Sequence, residues 1–179
     1  NISKQTHNIV KNVRQEIPLK DWQSTYVPHG INEDSYYPID ENHEEYPEML
    51  SWYDSQINGM KPEFIVFYNN RNIRRKSPAD VALAYKHMMD KLTPEQRKEC
   101  CFVFHAAPSD ENGTDMKAVC KTLLPDYPVI FTHDNHQNGA FNDEEMNYIY
   151  NSCDVYINMA SNEGFGLGSC EMLHTGGVI

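Results

Sequence analysis

The sequence has 179 residues, 40% of them hydrophobic, and a formal net charge of −11 from 26 acidic and 15 basic side chains. That suits one folded domain with a full core and excludes collagen-like and wholly disordered chains. The acidic excess repels polyanions, so neither a nucleic-acid partner nor an anionic membrane surface is expected.

Five cysteines (Cys100, Cys101, Cys120, Cys153, Cys170) are odd in number and show no C-x-x-C spacing. They argue against a disulfide framework or zinc knuckle and for a reducing, cytoplasmic compartment. No apolar run approaches the roughly 18 residues of a membrane span, which leaves peripheral attachment as the membrane role open to a full-length protein.

In chain order, residues 3–17 carry Ile9, Val10, Val13 and Ile17 at helical spacing, and 26–31 read as a short strand stopped by a turn. Residues 40–62 are acidic and punctuated by Pro and Gly. Met49, Leu50, Trp52, Tyr53 and Ile57 there suggest a small amphipathic helix on a surface excursion outside the core.

From residue 63 the pattern becomes regular. Apolar runs at 64–68, 101–105, 128–131, 155–159 and 178–179 alternate with helical stretches at 79–92, 116–124, 143–152 and 165–174. Pro78 suits a first helical turn, and Asn142 ahead of three acids reads as an N-cap. Short runs that are apolar throughout belong to strands buried on both faces, so the expected fold is α/β, a parallel Rossmann-like sheet flanked by helices. The chain starts on Asn1 and ends at Val178-Ile179 as a strand begins, and is therefore expected to be part of a longer protein.

In such a sheet ligands bind beyond the carboxyl ends of the strands. The loops there are 69–77, 106–112, 132–142 and 160–165. The first contains Arg71, Arg74, Arg75 and Lys76, four cations in six residues of an acidic chain, and suits phosphate better than a merely solvated surface. The last, with the helix start that follows it, contains SNEGFGLGSCE. Its Gly164, Gly166 and Gly168 let the backbone approach a ligand at a helix N-terminus, where negative charge is favoured. Glu163 beside them would repel phosphate and so suits a neutral hydroxylated group. Glu171, two turns on, could accept hydrogen bonds from another.

Glu163-Gly164-Phe165-Gly166-Leu167, with Glu171 eight positions after Glu163, resembles the E-x7-E signature of retaining family-4 glycosyltransferases of the two-domain GT-B architecture. Arg71 and Lys76 resemble that family's G-R-L-x-x-x-K-G loop, and Val27-Pro28-His29-Gly30-Ile31 with Tyr37-Pro38 resembles the stretch that opens its donor-binding domain.

The resemblance implies a transferase moving a sugar from a nucleoside-diphosphate sugar to an acceptor (glycan, lipid-linked or protein) with retention. Arg71 and Lys76 would hold the diphosphate and stabilise the leaving group, and Glu163 would contact the transferred sugar. Gly164, Phe165, Gly166 and Leu167 would help seat sugar and phosphates, and Glu171 would bind the ribose. No metal or other cofactor is implied. Residues 1–25 would be the tail of an N-terminal acceptor domain or an interdomain segment, and 26–179 the nucleotide-sugar-binding domain, short of its last strands and inactive alone. Asn70 and Met172 depart from the family's glycine and alanine.

Two other readings are a dinucleotide-binding oxidoreductase domain and a non-catalytic nucleotide-binding module. The first conflicts with the G-x-G-x-G spacing and its place after the fourth strand rather than the first; the second conflicts with four intact charged candidates. His133, Asp134 and His136 lack a third distant ligand and read as a polar loop rather than a metal site. His29 and His105 read as cleft-lining or structural, and Cys100-Cys101 as strand-edge packing.

Overall fold

A computed structural model of the chain describes residues 2–14, 16–17, 19–57, 59–134 and 140–179. Its frame is a four-stranded, all-parallel sheet in the order β3-β2-β1-β4, with β1 Phe64–Asn69, β2 Cys100–His105, β3 Val129–Phe131 and β4 Val155–Tyr156. Side chains alternate across a strand, which splits each apolar run between two cores. Ile65, Phe67, Cys101 and Val103 face one, against Tyr53, Ile149, Tyr150 and Met172. Val66, Tyr68, Phe102 and Phe104 face the other, against Val81, Tyr85, Met89 and Met116. The helices follow from this division. α2 (Tyr46–Gln56), α6 (Asp143–Asn151) and α7 (Leu167–His174) cover the first face; α3 (Pro78–Met89) and α5 (Met116–Leu123) cover the second.

The expected helix starts are realised. Pro78 opens α3. Asn142 caps α6 in a reciprocal box, its side chain accepting from the Glu145 amide while its own amide donates to the Glu145 carboxylate, both at 2.9 Å. A short α4 (Pro94–Glu99), boxed in the same way by Thr93 and Gln96, leads into β2 and was not expected from the sequence.

Several expectations are corrected. The 40–62 stretch belongs to the core: Met49 and Tyr53 of its helix and Ile57 just past its end are buried, because the stripe reaches the sheet face that α6 leaves uncovered. Residues 26–31 form no strand. Pro28 has no N–H to donate to a ladder, and nearby the chain docks on α6 instead, with the amides of Tyr37 and Ile39 donating to Asn147 and Asn151. β4 keeps only two residues, since the backbone turns off after Ile157 donates to the Phe67 carbonyl. Val178 makes a single parallel bridge to Val155, and α7 starts at Leu167 because Gly166 adopts a left-handed conformation, φ 87°. At the amino end, α1 (Lys4–Val13) buries none of its residues, so its apolar stripe stays in solvent.

Candidate functional site

The strand order decides where the site lies. Connections run from β1 to β2 to β3 on one side, and the chain then crosses back to place β4 on the other side of β1. The loops after β1 and β4 therefore diverge around a switch point, the position at which open parallel sheets form a ligand crevice. They are the basic loop and the glycine loop.

Across that crevice the loops are bonded. Lys76 Nζ donates to Glu163 Oε1 at 2.5 Å, and Arg75 Nη1 reaches Glu163 Oε2 at 3.4 Å and the Asn162 carbonyl at 2.8 Å. The Ser161 amide donates to the Arg75 carbonyl at 2.9 Å. Lys76 is only 7% exposed, so its charge is matched inside the protein rather than by water. Burial by itself would raise the Glu163 carboxyl; hydrogen bonds from Lys76 and Asn158, the Lys76 charge and Arg75 outweigh it and hold Glu163 below the ordinary carboxylate range. Directly after Lys76, Ser77 sits in the left-handed region at φ 48°, the one described non-glycine residue that does so, and carries the strain that turns the chain into α3.

Lys76 and Glu163 line a cleft of about 280 Å³ together with Asn70, Phe165, Gly166 and Gly168. Its rim includes His29, which stacks on Phe165 with ring centroids 4.8 Å apart. No side chain caps α7, and its first residues Leu167 and Gly168 line the cleft, so the partial positive charge of the helix start lies beside it. Leu167 is partly exposed beside Phe165.

Glu171 sits deeper, and Tyr150 Oη donates to its Oε2 at 2.7 Å while accepting from Asn69 Nδ2 at 2.8 Å. Burial, with a smaller contribution from Asp143, raises its carboxyl despite the Tyr150 hydrogen bond. A parallel relay runs through Tyr156, whose hydroxyl donates to the Asn69 carbonyl at 2.8 Å and accepts from Asn70 Nδ2 at 2.9 Å.

Gly168 is the point where α7 comes closest to these tyrosines. A Cβ there would lie 2.7 Å from Tyr156 Oη and 3.3 Å from Tyr150 Oη, both pinned by hydrogen bonds and unable to yield. Gly168→Ala is expected to push the start of α7 off the sheet and lower stability by about 1–3 kcal/mol. A calorimetric melting temperature equal to wild type would show that the helix start moves freely.

Of the residues expected from the sequence, Lys76, Glu163, Phe165, Gly166 and Leu167 meet in the cleft, and a Cβ on Gly164 would lie 3.9 Å from Ile2 Cδ1. Glu171 is tethered one turn away. Arg71 is placed elsewhere: its Nε donates to Asp110 Oδ2 at 2.9 Å in the loop after β2, with its side chain 64% exposed. Arg75 occupies the second cationic position opposite Glu163. The sequence signal for Arg75 was the basic loop itself. Tyr150, Tyr156 and Asn69 gave none, because they read as core or strand-end residues. Asn70, where the family pattern has glycine, uses its side chain to brace Tyr156.

His136 lies outside the described residues, and Asp134 pairs with Lys117 at 2.7 Å. Among the described residues no three His, Cys, Asp or Glu side chains come together as a metal site. His105 Nδ1 is 2.6 Å from Thr132 Oγ1, a structural contact. No helix among the described residues is long and apolar enough to cross a membrane.

Neither a protein-family model nor a curated protein matches the sequence. Solved structures do share its fold. The chain is similar to the C-terminal domain of a glycosyl transferase group 1 family protein from Francisella tularensis (TM-score 0.59, 18% identity, 83% of this chain and 69% of that one). It is also similar to sucrose-phosphate synthase from Thermosynechococcus elongatus (TM-score 0.62, 19% identity, 97% of this chain and 38% of that one). A third similarity is to an alpha,alpha-trehalose-phosphate synthase (UDP-forming) from Burkholderia vietnamiensis (TM-score 0.51, 13% identity, 83% and 33%). The chain thus spans 38% and 33% of the two synthases. At these identities the likeness establishes an α/β Rossmann-like fold of the kind in these transferases.

Proposed function

We propose that this chain binds a nucleoside-diphosphate sugar and forms the donor half of a retaining glycosyltransferase whose acceptor is held by a further domain. The observation that carries the reading is the cross-loop cluster of Lys76, Arg75 and Glu163 beside the uncapped start of α7, at the switch point of the sheet. Cations and free amides on one side and a carboxylate on the other suit a ligand that joins a diphosphate to a hydroxylated ring.

In the proposed reaction the bond from the anomeric carbon to the β-phosphate oxygen breaks, and negative charge grows on the diphosphate. Lys76 and the α7 amides stabilise that charge without a metal ion, and Arg71 joins them if it leaves Asp110. Glu163 accepts from sugar hydroxyls and Glu171 from the ribose. The acceptor oxygen attacks from the face the phosphate leaves, and the departing phosphate takes its proton. All five cysteines are free, which supports a reducing, cytoplasmic setting.

The glycine loop follows β4, whereas the loop after β1 is basic, which disfavours the nicotinamide or flavin alternative. Calorimetric titration with UDP, GDP, ADP and NAD tests the proposal. One nucleoside diphosphate should bind; no binding by any of the three, or tighter binding of NAD, overturns it.

A further inference from the structure

We infer that Arg75 is a positioning residue: it keeps Glu163 compensated when Lys76 turns from Glu163 to a donor phosphate, so the site binds by exchanging one anion for another. The inference rests on the proposed diphosphate site. Glu163 already occupies Lys76, at 2.5 Å. An arriving phosphate must take over that ammonium group, and a partly buried Glu163 without a cation would then repel it.

Arg75 is built to prevent this. Although it is next to Lys76 in the chain, the carbonyls of the two are held by different elements. The Arg75 carbonyl accepts from the Ser161 amide at 2.9 Å, and its guanidinium donates to the Asn162 carbonyl at 2.8 Å, so Arg75 is fastened to the glycine loop on both sides of its Cα. The Lys76 carbonyl instead accepts from buried Tyr68 Oη at 3.5 Å, on the sheet. Lys76 can therefore turn without releasing Arg75. The longer Arg75 contact to Glu163, 3.4 Å, leaves room to shorten once Lys76 departs.

A double-mutant cycle separates this role from direct phosphate binding. UDP, GDP and ADP are titrated into wild type, Arg75→Gln, Glu163→Gln and the double variant, and the tightest binder is compared across all four. Arg75→Gln should weaken binding about tenfold in the wild-type background and less than about twofold once Glu163 is neutral. Glu163→Gln alone should bind the bare diphosphate at least as tightly as wild type. Equal losses in both backgrounds would mean that Arg75 touches phosphate itself, and no loss in either would make it a bystander; each overturns the inference. If Arg75→Gln disturbs folding, Arg75→Lys replaces it. Keeping the charge should hold affinity within about threefold, and a tenfold loss overturns the compensation argument. Failure of wild type to bind any of the three diphosphates removes the underlying site instead.

Discussion

Lys76→Ala is expected to weaken nucleoside-diphosphate binding about 100-fold while leaving the matching nucleoside within about twofold, measured by calorimetric titration of both ligands. The ammonium group that would meet the phosphate is lost, and Glu163 keeps Arg75 as its remaining cation. A solvent-exposed lysine would give a far smaller change, because water screens its charge and an exposed pair contributes at most about 1 kcal/mol. Lys76 is nearly sealed from water, so its loss is felt at the lower local dielectric of the cleft. Equal loss of nucleoside and diphosphate affinity would assign the basic loop a structural role and remove it from the chemistry.

Asn72→Ala is expected to lower unfolding free energy by about 3 kcal/mol, and the melting temperature by about 10 °C for a chain of this size. Asn72 is 1% exposed and ties two loops together. Its Nδ2 lies 3.2 Å from the carbonyls of Ala107 and Pro108 and 2.6 Å from that of Thr114, and its Oδ1 accepts from the Thr114 amide at 3.2 Å. Two amide hydrogens are shared among three carbonyls, so the peg holds backbone on both sides of the loop at once. Alanine removes the Asn72 bonds to the Ala107 and Thr114 carbonyls and to the Thr114 amide, leaving the Pro108 carbonyl with the Met116 amide, in a place too tight for a ready substitute. A Cβ on Gly113 would already lie 2.0 Å from the Asn72 carbonyl oxygen. Asn72→Asp should be at least as damaging, since a carboxylate cannot donate to carbonyls. Thermal unfolding of both variants checks this, and a shift below about 3 °C would show that the loop is held by other contacts. Because the peg sets the spacing between the loops after β1 and β2, its loss should also loosen Arg71 from Asp110.

The parallel sheet was legible because five apolar runs with turn-rich spacing, four of which become strands, have few other folds open to them, and the caps at Asn142 and Pro78 were local enough to read directly. The burial of α2 was not legible. Its acidic, Pro-punctuated surroundings look like surface, and only the exposed flank of the sheet beside α6 gives its apolar stripe somewhere to go. The strand expected at 26–31 failed for the converse reason: a β-strand needs a neighbour, and local sequence does not reveal whether one is present.

At the site, the residues alone place a basic loop after the first strand and a glycine loop after the fourth, and suggest an anion for one and close backbone approach for the other. Which loops meet was not legible: β4 returns to the far side of β1, and that strand order makes the two loops face one another across the switch point. The same crossover paired Lys76 and Arg75 with Glu163, while Arg71 was drawn to Asp110. The physical reason is that a residue's chemistry is local, whereas its partner is set by strand order, which depends on how every helix covers the sheet.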